Sequence, residues 1–201
     1  MGGVGAVLSE ELQRARSAGA AAQRVVLVEG ASDQRAVEAL ARRQRRDLSS
    51  EGVAVVAIAG ATNVDRFLEI LGPGGYGAEL AGLCDEAEES EFGGALQRVG
   101  LGTRLDRVTM ERLGFFVCVR DLEEELIRAA GTDTVQQVIR SQGQLGRFRR
   151  FQNQPAQREK TIERQIWRWM GNHKIRYAPL LVEALDLEDV PRPLRGLLDH
   201  I

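Results

Sequence analysis

Lysine is nearly missing from this chain. Of its 27 basic residues, all but Lys160 and Lys174 are arginine. Together with abundant Ala and Gly, that bias is what a GC-rich bacterial genome gives, and it makes each lysine informative. Cysteine is as sparse. Cys84 and Cys118 each sit near the end of an apolar run. This excludes a disulfide framework and fits free, buried thiols of a reducing compartment. His173 and His200 lie far in sequence from both cysteines, so no zinc-type ligand spacing exists. No stretch approaches the roughly 20 apolar residues needed to cross a bilayer. Residues 1–8 are apolar but short and lack a basic flank, so no secretory leader is expected. A cytoplasmic protein without membrane contact is the expectation.

What is present suits one domain, or one domain with a small appendage: 201 residues, 43% of them hydrophobic, without low-complexity tracts. The net charge of -2 says little, but its distribution says more. Residues 24–133 hold 13 basic and 20 acidic side chains, whereas residues 140–176 hold ten basic and two acidic. The first part could hold metal ions and the second a polyanion. Helices with solvated charged faces would give the same counts.

Hydrophobic patterning predicts a leading helix over 7–20 and then an alternation. Residues 24–30 (RVVLVEG), 53–60 (VAVVAIAG), 80–84 (LAGLC) and 115–119 (FFVCV) are short continuous apolar runs, the mark of buried strands. Helices are predicted between them: one from Asp33 to about Arg46 capped by Ser32, a short one capped by Thr62 or Asn63, and one over 86–99. Another is expected from Leu122 to Ala130. Beyond Thr134 only helical segments are expected, at 135–139, 161–170, 178–185 and 193–198. The expected fold is therefore α/β, with a four-stranded, mainly parallel sheet flanked by helices and a C-terminal helical part. A boundary near residue 133 separates the core (1–133) from the extension (134–201).

Ligands of open parallel sheets bind beyond the carboxyl ends of the strands. Here strand one ends at Glu29, strand three runs into Asp85, and strand four runs into Asp121 with Glu123 two residues on. Asp33 lies one helical turn above Glu29. Such convergence is costly unless a cation neutralises it. Hard carboxylate oxygens suit Mg²⁺ or Mn²⁺. Singly, each acid has a plainer reading: Asp33 and Glu123 as complements to helix dipoles, Asp85 and Asp121 as turn residues.

VEGASD at 28–33 resembles the first motif of TOPRIM domains, and LCDEAEE at 83–89 the second. Within that superfamily, VRDLEEELIRA at 119–129, GATNV at 60–64 and NHKIRYAPLLVEAL at 172–185 resemble the overcoming-lysogenization-defect (OLD) nucleases. The resemblance spans about residues 24–186. It implies a TOPRIM-like fold and a nuclease dependent on one or two Mg²⁺ or Mn²⁺ ions. It implies metal ligands at Glu29, Asp33, Asp85 and Glu123, with Asp121 a further candidate. It places Glu29 and Lys174 in the catalytic machinery, Lys174 against the scissile phosphate. Two departures stand out. The second Asp of the family's Asp-x-Asp pair is Ala87 here, with Glu86 or Glu88 as substitutes. Full-length relatives also join an ATPase to this domain, and no G-x-x-x-x-G-K-[ST] occurs in this sequence. The Gly-rich loop at 72–77 has no lysine. An ATPase partner would be a separate chain.

The expected chemistry is hydrolysis of nucleic-acid phosphodiester bonds, with DNA the expected polymer. Lys160, Arg164 and Arg168, spaced i, i+4, i+8, would form one helical stripe for phosphates, although a solvated face has the same spacing. Trp167 and Trp169 are expected in the core. Lys174 could equally be a surface cation. Two rival readings remain. One is a catalytically impaired TOPRIM module that binds nucleic acid or an ATPase. The other is a phosphoacceptor domain, which expects an acidic pair ending strand one and a lysine ending a late strand. Glu29 stands beside Gly30, and Lys174 falls in the helical part.

Overall fold

The computed structural model describes residues 3–201. The elements in chain order are α1 (Gly3–Ala21), β1 (Arg24–Val28), α2 (Ala31–Arg43), β2 (Val53–Ala57), α3 (Val64–Leu71), β3 (Glu79–Asp85), α4 (Glu89–Arg98), α5 (Arg107–Arg112), β4 (Phe115–Cys118), α6 (Leu122–Ser141), α7 (Leu145–Gln152), α8 (Ile162–Gly171), α9 (Lys174–Ala184) and α10 (Arg192–His200). The four strands form one sheet in the order β2-β1-β3-β4. Every pairing is parallel, with Val28 opposite both Ala57 and Leu83, and Asp85 opposite Cys118.

Side chains of a strand alternate between faces, and the core divides accordingly. Val25 and Leu27 join α1, α3, α4 and α5 on one side. Val26 and Val28 join α2, α6, α9 and α10 on the other. Cys84 and Cys118 are buried free thiols that point into opposite layers, because their register is offset by one residue. Gly82, at the middle of the sheet, is required by space. A Cβ there would lie 2.7 Å from the Phe115 ring and 3.0 Å from the Leu27 carbonyl oxygen.

The C-terminal helices are not a separate layer. Leu181, Val182, Leu194 and Leu197 belong to the same cluster as Val26 and Leu40. Arg43 of α2 donates to the carbonyls of Val182 and Leu185 at 2.7 Å each, so it caps the end of α9 and fastens it to α2. The boundary expected near residue 133 falls inside α6, two residues beyond Gly131, whose φ of 72° breaks that helix.

Several local expectations are corrected. Ser32 is not the cap of α2. Extended Gly30 occupies that position, and its N–H donates to the Asp33 carboxylate at 2.9 Å. The helix expected over 86–99 opens with a 3₁₀ turn, Glu86–Glu88. Helices α5 and α7 were not expected, being only six and eight residues long, too short for a clear period.

Candidate metal and phosphate site

The strand order reverses between β1 and β3: the chain leaves β1 for β2 on one side and returns to β3 on the other. That switch point opens a crevice at the carboxyl ends of the two strands. Glu29 and Asp85 stand at its lips. The Glu29 carboxylate accepts the Asp85 backbone N–H at 2.9 Å, which ties the two strand ends together.

Glu88 joins them. Carboxylate oxygens of Glu29, Asp85 and Glu88 all lie within 4.8 Å of one another. The 3₁₀ turn explains why Glu88 serves and its neighbours do not. At three residues per turn, positions i and i+3 eclipse, so Glu88 falls above Asp85. Ala87, at the position of the missing second Asp, points to solvent. Glu86 turns away and pairs with Arg107 at 3.1 Å. Glu88 was only a substitute in the sequence reading. The i+3 spacing from Asp85 would have found it, had the turn been taken as 3₁₀.

The other half of the edge is built on α2 and α6. Asp33 sits in the first turn of α2. Glu123 lies in the first turn of α6, only 3% exposed. Lys174, the first residue of α9, reaches back across the edge and donates to Glu123 Oε2 at 2.8 Å. The turn that carries it is made by Asn172 and His173. Gly171, just before it, is an ordinary helical residue.

Asp121 has a different task. It caps α6, with Oδ1 accepting the Glu124 N–H at 2.7 Å and Oδ2 accepting the Trp167 indole N–H at 2.7 Å. Both oxygens are engaged, so Asp121 orients the helix that carries Glu123. Trp167 is half-buried, with the Arg120 guanidinium 4.0 Å above its ring. Arg120 holds a left-handed backbone (φ 68°) between β4 and α6. Nothing in the sequence pointed to a contact spanning 46 residues. Trp169 is buried, as expected.

Of the expected basic stripe, Arg164 and Arg168 are exposed on α8. Lys160 is not on that helix. Extended Thr161 caps α8 and accepts the Arg164 N–H, so the helix begins after it.

The electrostatics match a cation site. Burial, reinforced by Glu29, Asp33, Asp121 and Glu123, pushes the Asp85 carboxyl up to about 8. Burial and then Glu123 push Asp33 up to about 7, against its bond from Gly30. Burial also raises Glu29, against the Asp85 N–H. Burial works against the Lys174 ammonium, but the Glu123 hydrogen bond and the surrounding carboxylates outweigh it and raise its pKa. Glu88 Oε2 and Glu123 Oε1 are buried and have no hydrogen-bond partner among the described residues. Buried polar atoms without partners are costly. Both orphaned atoms are hard anionic oxygens of the kind a divalent ion takes, and Glu88 belongs to the close set with Glu29 and Asp85.

Residues 22–86 match the family described as the overcoming lysogenization defect protein-like TOPRIM domain. The fold matches the C-terminal region of the OLD protein of Xanthomonas campestris pv. campestris with a TM-score of 0.70 and 26% identity, covering 90% of this chain and 92% of that one. It also matches the C-terminal region of the Burkholderia pseudomallei OLD protein with a TM-score of 0.65 and 20% identity, covering 89% and 96%. No curated protein matches the chain by sequence. The matched residues 22–86 include the ends of β1 and β3, where Glu29 and Asp85 stand.

Proposed function

From a chain that carries a TOPRIM domain of the overcoming-lysogenization-defect type, we propose a divalent-metal-dependent nuclease that hydrolyses phosphodiester bonds of nucleic acid, with DNA as substrate. The observation that carries this reading is the Glu29–Asp85–Glu88 set, three carboxylates within 4.8 Å of one another. TOPRIM domains bind divalent metals, and the donors here fit Mg²⁺ or Mn²⁺. Glu29, Asp85 and Glu88 would hold the ion, with Asp33 and Glu123 beside them. The ion supplies Lewis-acid polarisation of the phosphodiester.

The chain's own residues do the rest. The Asp85 N–H fixes the Glu29 carboxylate. Asp121 and Trp167 fix α6, and with it Glu123. Lys174, held on Glu123, presents a compact ammonium to charge that develops on the phosphate. Incubation of the purified protein with supercoiled plasmid and Mg²⁺ or Mn²⁺ tests this. Nicked or linear product is expected, and EDTA should suppress it. Intact plasmid under all metal conditions would sink the nuclease reading.

A second reading has one observation behind it. Ala87 removes a carboxylate from the metal edge, which suits a module that binds nucleic acid or a separate ATPase chain without cutting. Metal uptake without cleavage would favour it. Among the described residues no helix is long and apolar enough to cross a membrane, and we place the activity in the cytoplasm.

A further inference from the structure

A groove of about 580 Å³ opens between the start of α2 and the start of α9. Its walls carry Ser32, Arg35, Asn172, Lys174, Ile175 and Arg176, and no carboxylate residue lines it. In a chain whose formal net charge is -2, three cations around one acid-free groove is a marked local concentration. Lys174 belongs to both places: its ammonium donates to Glu123, and it is one of the residues lining the groove. Arg35 and Arg176 are exposed, and neither guanidinium has an anionic partner among the described residues. Arg14, Arg24, Arg46, Arg98, Arg107, Arg128 and Arg192 are ion-paired; what sets Arg35 and Arg176 apart from the other unpaired arginines is that they share one acid-free groove with Lys174. Arg35 and Arg176 line one groove, and an unpaired guanidinium can take a phosphate oxygen pair in bidentate fashion.

We propose that this groove binds the phosphodiester next to the one aligned on the metal edge, with Arg35 and Arg176 as its phosphate-binding residues. The strand would then cross the acidic edge on its α2–α9 side, and the exposed Arg164 and Arg168 on α8 would lie off its path. Continuity favours this route. The groove ends at the lysine that touches the carboxylate edge, so a polyanion in it delivers its next phosphate to that edge without crossing the like-charged acids. The inference rests on the nuclease reading for the word "next". The groove's affinity for a phosphate backbone does not.

The test is binding of a short fluorescein-labelled DNA duplex across a KCl series, with Ca²⁺ replacing Mg²⁺ so that binding is read apart from cleavage. Wild type is compared with the double substitution R35A/R176A and, separately, with R164A/R168A. Each lost phosphate contact lowers the slope of log K against log salt by about one. The groove pair should therefore lower it by about two and weaken binding by roughly 10- to 100-fold at low salt. R164A/R168A should change neither. With Mg²⁺ and plasmid, R35A/R176A should raise KM and leave kcat near wild type, the mark of lost uniform binding. R35K/R176K should restore most of the slope, because charge is retained, and equal melting temperatures would confirm folding. An unchanged slope in R35A/R176A overturns the groove, as does a loss confined to R164A/R168A. Salt-dependent binding that needs Arg35 and Arg176, without any cleavage, keeps the groove and refutes the nuclease. No binding by wild type refutes the groove, and plasmid cleavage by the same protein would then keep the nuclease.

Discussion

The two halves of the acidic edge solve the same problem differently. Glu123 is the most buried of the edge carboxylates, yet its neutralising cation is already in the chain: Lys174 at 2.8 Å. Glu29, Asp85 and Glu88 are crowded as closely and have no lysine or arginine on them among the described residues. One half is thus complete as a folded unit, and the other is complete only with a cation from solution. The lesson concerns where charge is compensated. Here the ends of β1 and β3 deliver carboxylates to the same side of the sheet, so their neutralising charge has to come from elsewhere. The helical part provides one, and on the proposed function a metal ion would provide the other.

The largest effect should come from breaking the metal half. Glu29→Gln keeps an acceptor for the Asp85 N–H but removes the anionic ligand. Plasmid cleavage should fall by about 10³-fold, or ~4 kcal/mol in the barrier. Cleavage near the wild-type rate would place the metal elsewhere.

Breaking the lysine half should cost less, and in a different currency. Lys174→Ala should slow cleavage by about 10²-fold while metal affinity is kept. Lys174→Arg should also be impaired, since a planar fork does not replace a point charge. Lys174→Ala should also cost stability, because Glu123 would be left buried with neither oxygen paired. Since Lys174 is 41% exposed, about 1–2 kcal/mol of stability should be lost. Urea melts of Lys174→Ala against Glu123→Gln/Lys174→Ala check this, and the double variant should recover part of the loss.

A finer comparison lies within one turn of chain. Glu88→Gln should weaken Mn²⁺ binding by about 10-fold in calorimetric titration. Glu86→Gln should leave it unchanged, since it severs only an exposed pair with Arg107. Equal effects of the two would show that the 3₁₀ turn does not sort these acids.

The last expected effect needs no substitution and is on stability against pH. Asp33 and Asp85 ionise near 7 and 8 when folded, against an ordinary 3.8. The folded state therefore holds more protons than the unfolded chain at intermediate pH, and its stability falls as pH rises. The contribution is full below about pH 4 and lost by about pH 8. In EDTA the melting temperature should drop by several degrees between pH 5 and 8. Mg²⁺ should raise it more at pH 8 than at pH 5. A metal shift that shrinks with pH would contradict the assignment.

Much of this was legible in the sequence because parallel strands buried on both faces must be continuous apolar runs. Their ends are readable, and so were Glu29, Asp85 and the start of α6. The rarity of lysine singled out Lys174, and the structure brings it to the acidic edge. What was not legible depends on turn geometry or on distant pairing. Asp121 looked like one more acid in a row, and only the Trp167 indole reveals it as a brace. Lys160 looked like part of a stripe because helical spacing was counted through Thr161, which ends the preceding loop. The groove of Arg35 and Arg176 joins residues 141 positions apart, which no local pattern announces.

The brace at Asp121 also makes the protein its own optical probe. Trp167 donates its indole N–H to the carboxylate that anchors α6, and its ring lies under the Arg120 guanidinium. Indole emission depends on just these two things, the acceptor at nitrogen and the charge over the ring. With Trp169, buried among Phe148, Phe151 and His173, replaced by Phe, the single remaining tryptophan would report in real time any shift of α6 as metal or nucleic acid arrives, without a label and without turnover.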